Sequence, residues 1–187
     1  IQPIAKSTQE EVLAQIVKDL TEAEAKAVLS YGDQAADKGR VTVYTINAIL
    51  ADVYLWMNKY TECIAACDKI INSQKFGLIR GATINPPLYE YNDDWFNALY
   101  FTGNSNEGIF ELQFDPQRLN PYFTMFSASL SNRRWTAAAD LMDRLFTVDF
   151  TNDQNYDIRA DGGSVRAATS TVWKYIGATT TSQRTAD

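Results

Sequence analysis

Cys63 and Cys67 stand four residues apart, a spacing that puts both on one face of a helix. Two thiols so placed could form half of a metal site or a redox pair. They could also be small apolar side chains in a helix interface, as free cysteines commonly are. Packing is the stronger reading, because the chain has 2 Cys and no His to complete a ligand set. A second constellation, Asp153-x-Asn155-x-Asp157 with Asp149 and Asp161 nearby, offers the first three oxygen ligands of a calcium loop. Ile158 stands where the loop requires glycine and Ser164 where it requires Glu, so a solvated polar loop is expected instead. Among 23 acidic residues, carboxylate pairs can always be imagined, so their number is no sign of glycoside hydrolysis. Nucleophile motifs, phosphate-binding loops and dinucleotide fingerprints are absent from the sequence. The expectation is a protein that is not an enzyme and carries no cofactor or metal.

Aromatic residues carry more information. They make up 12% of the 187 residues, with 4 Trp, 10 Tyr and 9 Phe. That exceeds the needs of a helical core, so some rings are expected at the surface as contact residues. Two clusters mix rings with polar groups. One is Tyr91-Asn92-Asp93-Asp94-Trp95; the other joins Tyr122-Phe123 to Asn132-Arg133-Arg134-Trp135. Net charge is −6, and the only basic cluster is the pair Arg133-Arg134. A nucleic-acid binder needs a basic stripe to neutralise phosphates, so no nucleic-acid partner is expected.

The elements that must position these residues follow from periodicity. Thr8 is a good N-cap, and Val12, Leu13, Ile16, Val17, Leu20 and Ala23 recur at helical spacing, which predicts a helix to about Val28. Asp33 to Gly39 reads as a polar linker. A helix from Val41 buries Ile46, Ile49, Leu50, Val53, Tyr54 and Met57, and Trp56 is expected to pack rather than to contact a ligand. After a break at Asn58-Lys59, Tyr60, Ile64, Cys67, Ile70 and Ile71 line the next helix. So short a turn makes the two helices antiparallel. Beyond Gly77 the chain becomes loop-rich, with Pro86-Pro87 excluding a helix. A short helix near Asn92 or Asp93, a turn at Gly103 to Asn106 and a strand at Ile109 to Phe114 are expected. A helix at Ala137 to Phe146 and a strand-like Val172 to Ile176, with Trp173 in the core, follow. No run of about 18 apolar residues could span a membrane. The first residues, Ile1-Gln2-Pro3-Ile4, show no signal peptide and no Met, as in a mature protein or an excised fragment.

Leu50-Ala51-Asp52-Val53-Tyr54 resembles the L-G-x-x-Y core of a tetratricopeptide repeat, with Cys63 and Cys67 at the small and the Phe positions of its second helix. The repeat's closing Pro is missing, with Lys75 near that place. A wider set of motifs resembles the SusD/RagB family. Glu10-Glu11-Val12 with Ile16 and Asp19-Leu20 is similar to its first helix. Gly39-Arg40-Val41-Thr42 leading to Asn58-Lys59-Tyr60 is similar to its signature hairpin. Glu107 to Gln113 resembles its E-x-I-F-E-x-Q strand, Leu141 to Phe146 with Asp157-Ile158-Arg159 its helix and D-x-R segment, and Trp173-Lys174-Tyr175 its K-Y strand.

The resemblance implies a mainly α fold, a tetratricopeptide-like superhelix of SusD type with long loops and a few short strands. Residues 8–77 would form the helical part and residues 78–187 the loop-rich part of one domain, an internal fragment of a longer protein. It implies a surface-exposed lipoprotein of the outer membrane, attached through a lipid anchor absent from this chain. Such a protein serves polysaccharide utilization by handing a glycan or other nutrient to a SusC-like TonB-dependent transporter. Sugars offer apolar C–H faces and hydroxyls, so a glycan site wants exposed rings beside polar side chains. Trp135 is the preferred platform, with Arg134 and Asn132 as hydroxyl partners and Tyr122 close by; Trp95 and Asn92 form the second candidate. Burial of these rings against helices is the competing reading. The rival class is a tetratricopeptide-type scaffold for a protein or peptide partner, which would need several tandem repeats.

Overall fold

The computed structural model describes residues 5–79, 97–114, 120–126, 133–145, 164–172 and 174. The described chain is mainly α. It divides into two compact units, Ile1–Gly77 with Asn106–Phe110, and Leu78–Ser105 with Glu111–Asp187.

In the first unit, helix α1 (Gln9–Glu24) begins where sequence places it. The Thr8 hydroxyl accepts the Glu11 amide at 3.2 Å, and the Glu11 carboxylate accepts the Thr8 amide at 2.8 Å. This reciprocal box satisfies two amides that the first turn would otherwise leave unpaired. The helix stops at Glu24, four residues before the expected Val28. Residues 33–39, expected as linker, instead contain the short helix α2 (Gln34–Gly39), capped by Asp33, which accepts the Ala36 amide at 2.8 Å. Six residues are too few to display a hydrophobic period, so only the cap could have signalled it.

Helix α3 (Val43–Trp56) opens on a second box, in which Thr42 and Thr45 exchange backbone-to-hydroxyl bonds at 3.2 and 3.4 Å. Just past its C-cap Met57, Asn58 at φ 57° takes the left-handed conformation that turns the chain out of a helix. Helix α4 (Tyr60–Ile71) follows at once and packs on α3, and α1 also packs on α3. Ile46, Leu50, Ala51 and Ala66 form the centre of this core; Val17, Leu20, Tyr54, Cys63 and Cys67 pack around it.

The buried face of α4 differs from the expected one. Tyr60, Ile64 and Ile71 are exposed, and Ala66 is the residue buried against α3. Close approach of two backbones selects small side chains, so Ala66 with the half-buried cysteines takes the interface and the larger residues are turned out. Trp56 is also corrected, being 70% exposed rather than packed. Ile49 is exposed too.

One polar network ties the three long helices together. Asn47, 0% exposed, donates through Nδ2 to Glu24 Oε1 at 2.7 Å and to the Val43 carbonyl at 2.9 Å. Lys69 donates to the same Glu24 oxygen at 2.6 Å. Burial pushes the Glu24 carboxyl up, yet the bonds from Lys69 and Asn47 and the Lys69 charge hold it below the usual carboxylate value.

In the second unit, residues 97–102 form a wide helical turn, and Gly103 and Asn104 follow at φ 65° and 53°, the turn expected there. The alternating segment expected as a strand is not one over 109–114. Glu111 accepts the Asn104 amide and Asn104 Oδ1 accepts Gln113 Nε2 at 2.6 Å, so the second half of that segment folds onto the turn instead of onto a strand. Two short helices, α5 (Tyr122–Phe126) and α6 (Leu141–Leu145), are described. The latter is shorter than expected, since residues 137–140 precede it. Strand β1 (Val165–Arg166) pairs antiparallel with β2 (Thr171–Val172), with Val165 opposite Val172. The expected Trp173, Tyr175 and Ile176 lie outside the described residues.

Candidate functional site

The second unit assembles the preferred aromatic cluster from three stretches. Asn120, buried, starts α5: its side-chain oxygen accepts the Tyr122 amide at 2.9 Å and its carbonyl accepts the Phe123 amide at 3.3 Å. This places Tyr122 on the surface, 48% exposed, with its ring 6.3 Å from that of Phe126. At the other end of the helix, the Met125 carbonyl accepts the amides of both Arg134 at 3.0 Å and Trp135 at 3.1 Å.

The β1–β2 connection holds the far side. Ser170, in the left-handed region at φ 49°, offers a carbonyl that accepts the Ala137 amide at 2.9 Å and the Arg133 guanidinium. Arg133 Nε also reaches the Trp135 carbonyl at 3.4 Å. The backbone of Trp135 is therefore held at its amide and at its carbonyl, while its side chain is 61% exposed. Arg134 is exposed beside it.

An exposed indole on a fixed backbone can stack on an apolar ligand face with little ordering cost, because the chain carrying it is already ordered. Arg134 and the Tyr122 hydroxyl extend the same stretch with groups able to bond hydroxyls. Of the six candidate residues, Tyr122, Arg134 and Trp135 are brought onto connected segments. Asn132, Trp95 and Asn92 lie outside the described residues. Arg133, Met125 and Ser170 are the residues that brace the cluster, and sequence reasoning did not assign them that task. Nothing local marks Arg133 apart from Arg134, and Met125 and Ser170 act through backbone carbonyls, which any residue type supplies.

Cys63 and Cys67 are free, half-buried thiols packed on the core of the first unit. Burial, reinforced by the neighbouring Cys67, pushes the Cys63 thiol up, the opposite of what a reactive thiolate requires. Among the described residues, no group of three or more His, Cys, Asp or Glu could hold a metal ion. The acidic stretch around Asp149, Asp153, Asp157 and Asp161 lies outside the described residues. Among the described residues, no helix is long and apolar enough to cross a membrane.

No protein-family model, curated protein or solved structure matches the chain.

Proposed function

We propose that this chain is part of a SusD/RagB-like cell-surface protein that binds a glycan or related nutrient and passes it to a SusC-like TonB-dependent transporter of the outer membrane. The observation that carries this reading is the exposed Trp135 ring on a backbone held from both sides, with Arg134 and Tyr122 on adjoining segments. A sugar site can be built from a rigid ring beside polar side chains, and binding alone needs no nucleophile or general acid. The resemblance of the α3–α4 hairpin to a tetratricopeptide repeat supports the scaffold half of the proposal, a tetratricopeptide-like superhelix. Leu50, Ala51 and Val53 of that motif are buried, and the small residue Ala66 of α4 joins Leu50 and Ala51 in one core cluster.

The experiment is a glycan array probed with the wild-type chain and Trp135→Ala. Selective binding that the substitution weakens supports the proposal, and an array with no selective binding removes the glycan reading. A TonB-dependent transporter in the neighbouring coding region, beside glycosidases of one specificity, would add the transporter partner and narrow the ligand.

A second reading has its own observation. Helix α4 exposes Tyr60, Ile64 and Ile71 along one stripe, more apolar surface than a solvated helix face needs. A repeat scaffold leaves such a face for a neighbouring helix pair. The two readings separate in a pull-down from outer-membrane extract: capture of the transporter favours the first, and capture of a soluble protein through α4 favours the second.

A further inference from the structure

The first unit contains a cavity of about 260 Å³, formed by the 29–34 turn, α2, the start of α3 and residues 75–76, with Asn106. Sites for drug-sized ligands run to roughly 300–1,000 Å³, so this one suits a smaller molecule. Three polar side chains in its wall are at least nine-tenths buried: Lys38, Thr42 and Tyr44. The Lys38 ammonium donates to the Gly108 carbonyl and stands 4.4 Å from the centroid of the Phe76 ring. Phe76 in turn meets Tyr44 edge-on, with centroids 5.3 Å apart. A buried lysine and a locked ring pair make this a built wall rather than a surface dent.

The charges in the lining come as two carboxylates, Asp33 and Asp37, and two ammoniums, Lys38 and Lys75. They are not equally engaged. Asp37 accepts the Tyr31 amide at 2.5 Å and the Ser30 hydroxyl at 2.7 Å, and Lys38 is buried. Asp33, by contrast, is exposed and uses one oxygen as the α2 cap. Lys75 is exposed and reaches the Leu29 carbonyl at 3.4 Å, long for a hydrogen bond, with its ammonium 5.3 Å from the Tyr44 ring. The exposed Asp33 carboxylate and the exposed Lys75 ammonium, whose charge also acts on Asp37, thus border an apolar surface of Leu29, Tyr44 and Phe76.

We propose that this cavity binds a small zwitterion of the α-amino-acid class, its carboxylate on Lys75, its ammonium on Asp33 and its side chain against the Tyr44–Phe76 pair. A purely anionic ligand would face both aspartates and a purely cationic one both lysines, so the balanced lining selects a ligand that carries both charges. This site is separate from the Trp135 surface, and each stands or falls on its own test.

The test is an NMR titration of the whole chain with four probes: L-leucine, N-acetyl-L-leucine, L-leucinamide and a neutral methyl glucoside. Saturable shifts at Tyr44, Phe76 and Lys75 are expected with L-leucine, with affinity about tenfold or more weaker for both single-charge derivatives. Lys75→Met should lose a similar factor. So should Asp33→Asn, which keeps the helix cap. Circular dichroism of both variants confirms that the fold survives. Equal binding of N-acetyl-L-leucine or of the glucoside, or no saturable shift from L-leucine up to on the order of 10 mM, overturns the proposal.

Discussion

The Met125 carbonyl accepts the amide of Trp135 at 3.1 Å, joining the short helix that displays Tyr122 to the segment that displays the indole. That bond ties the two stretches of the second aromatic cluster to each other through the main chain. The Arg133 side chain, bonded to the carbonyls of Trp135 and Ser170, holds the same segment from the opposite side.

Arg133 is accordingly expected to matter more for the placement of Trp135 than for contact with ligand. Arg133→Ala should make residue 135 more mobile, read as lower steady-state anisotropy of a single-Trp variant that keeps only Trp135. Arg134→Ala should leave that anisotropy unchanged while weakening ligand binding by about threefold to tenfold, the loss of one hydrogen bond. Equal anisotropy in both variants would remove the bracing function of Arg133.

The Glu24–Asn47–Lys69 network gives a stability prediction. Asn47→Ala removes two bonds from a fully buried amide and should cost about 1–3 kcal/mol in urea unfolding. Lys69→Met, at a partly exposed pair, should cost only about 0.5–1 kcal/mol at pH 7.

The same network sets a pH dependence. The Glu24 carboxyl titrates below its ordinary value in the folded chain, so the unfolded chain takes up its proton first as pH falls. Its stabilising contribution is complete above the ordinary glutamate range and is lost as pH drops through the folded value. The stability gap between wild type and Lys69→Met should therefore be constant from pH 8 to about 6 and shrink below about pH 4.5. A gap that grows in acid contradicts the assignment.

Cys63 should behave as an inert packing thiol. Its raised value predicts iodoacetamide alkylation at pH 8 slower than for an unperturbed cysteine, with the rate still climbing above the ordinary thiol range. Mass spectrometry of timed samples measures it. A rate already at its plateau at pH 8 would mark a low-value, reactive thiol instead.

The long helices are legible in sequence because each offers a periodic face and a local signal at one end, although the end of α1 falls four residues short of its expected place. Thr8 and the turn at Asn58-Lys59 are legible because capping and left-handed turns depend on one or two side chains. The face of α4 is not legible for the converse reason. Counting apolar residues favours Tyr60, Ile64 and Ile71, but backbone approach is decided by small side chains, and Ala66 carries little weight in any hydrophobic tally. The alternation at Ile109 to Phe114 suggested a strand, yet a strand needs a partner edge, which no local pattern can specify. At the candidate site, the rings and Arg134 were visible as residue types. The contacts that order them run through main-chain carbonyls of Met125 and Ser170, where sequence is silent.

Calorimetric titration of the wild-type chain, Trp135→Ala and Trp56→Ala with the best glycan from the array decides whether the Trp135 indole is the ligand platform. Both tryptophans are exposed, and they lie on different units, so Trp56 controls for the general loss of a surface indole. A loss of about tenfold or more, roughly 1.4 kcal/mol, is expected for Trp135→Ala and unchanged affinity for Trp56→Ala. Unchanged binding in Trp135→Ala, or an equal loss in Trp56→Ala, would contradict that role.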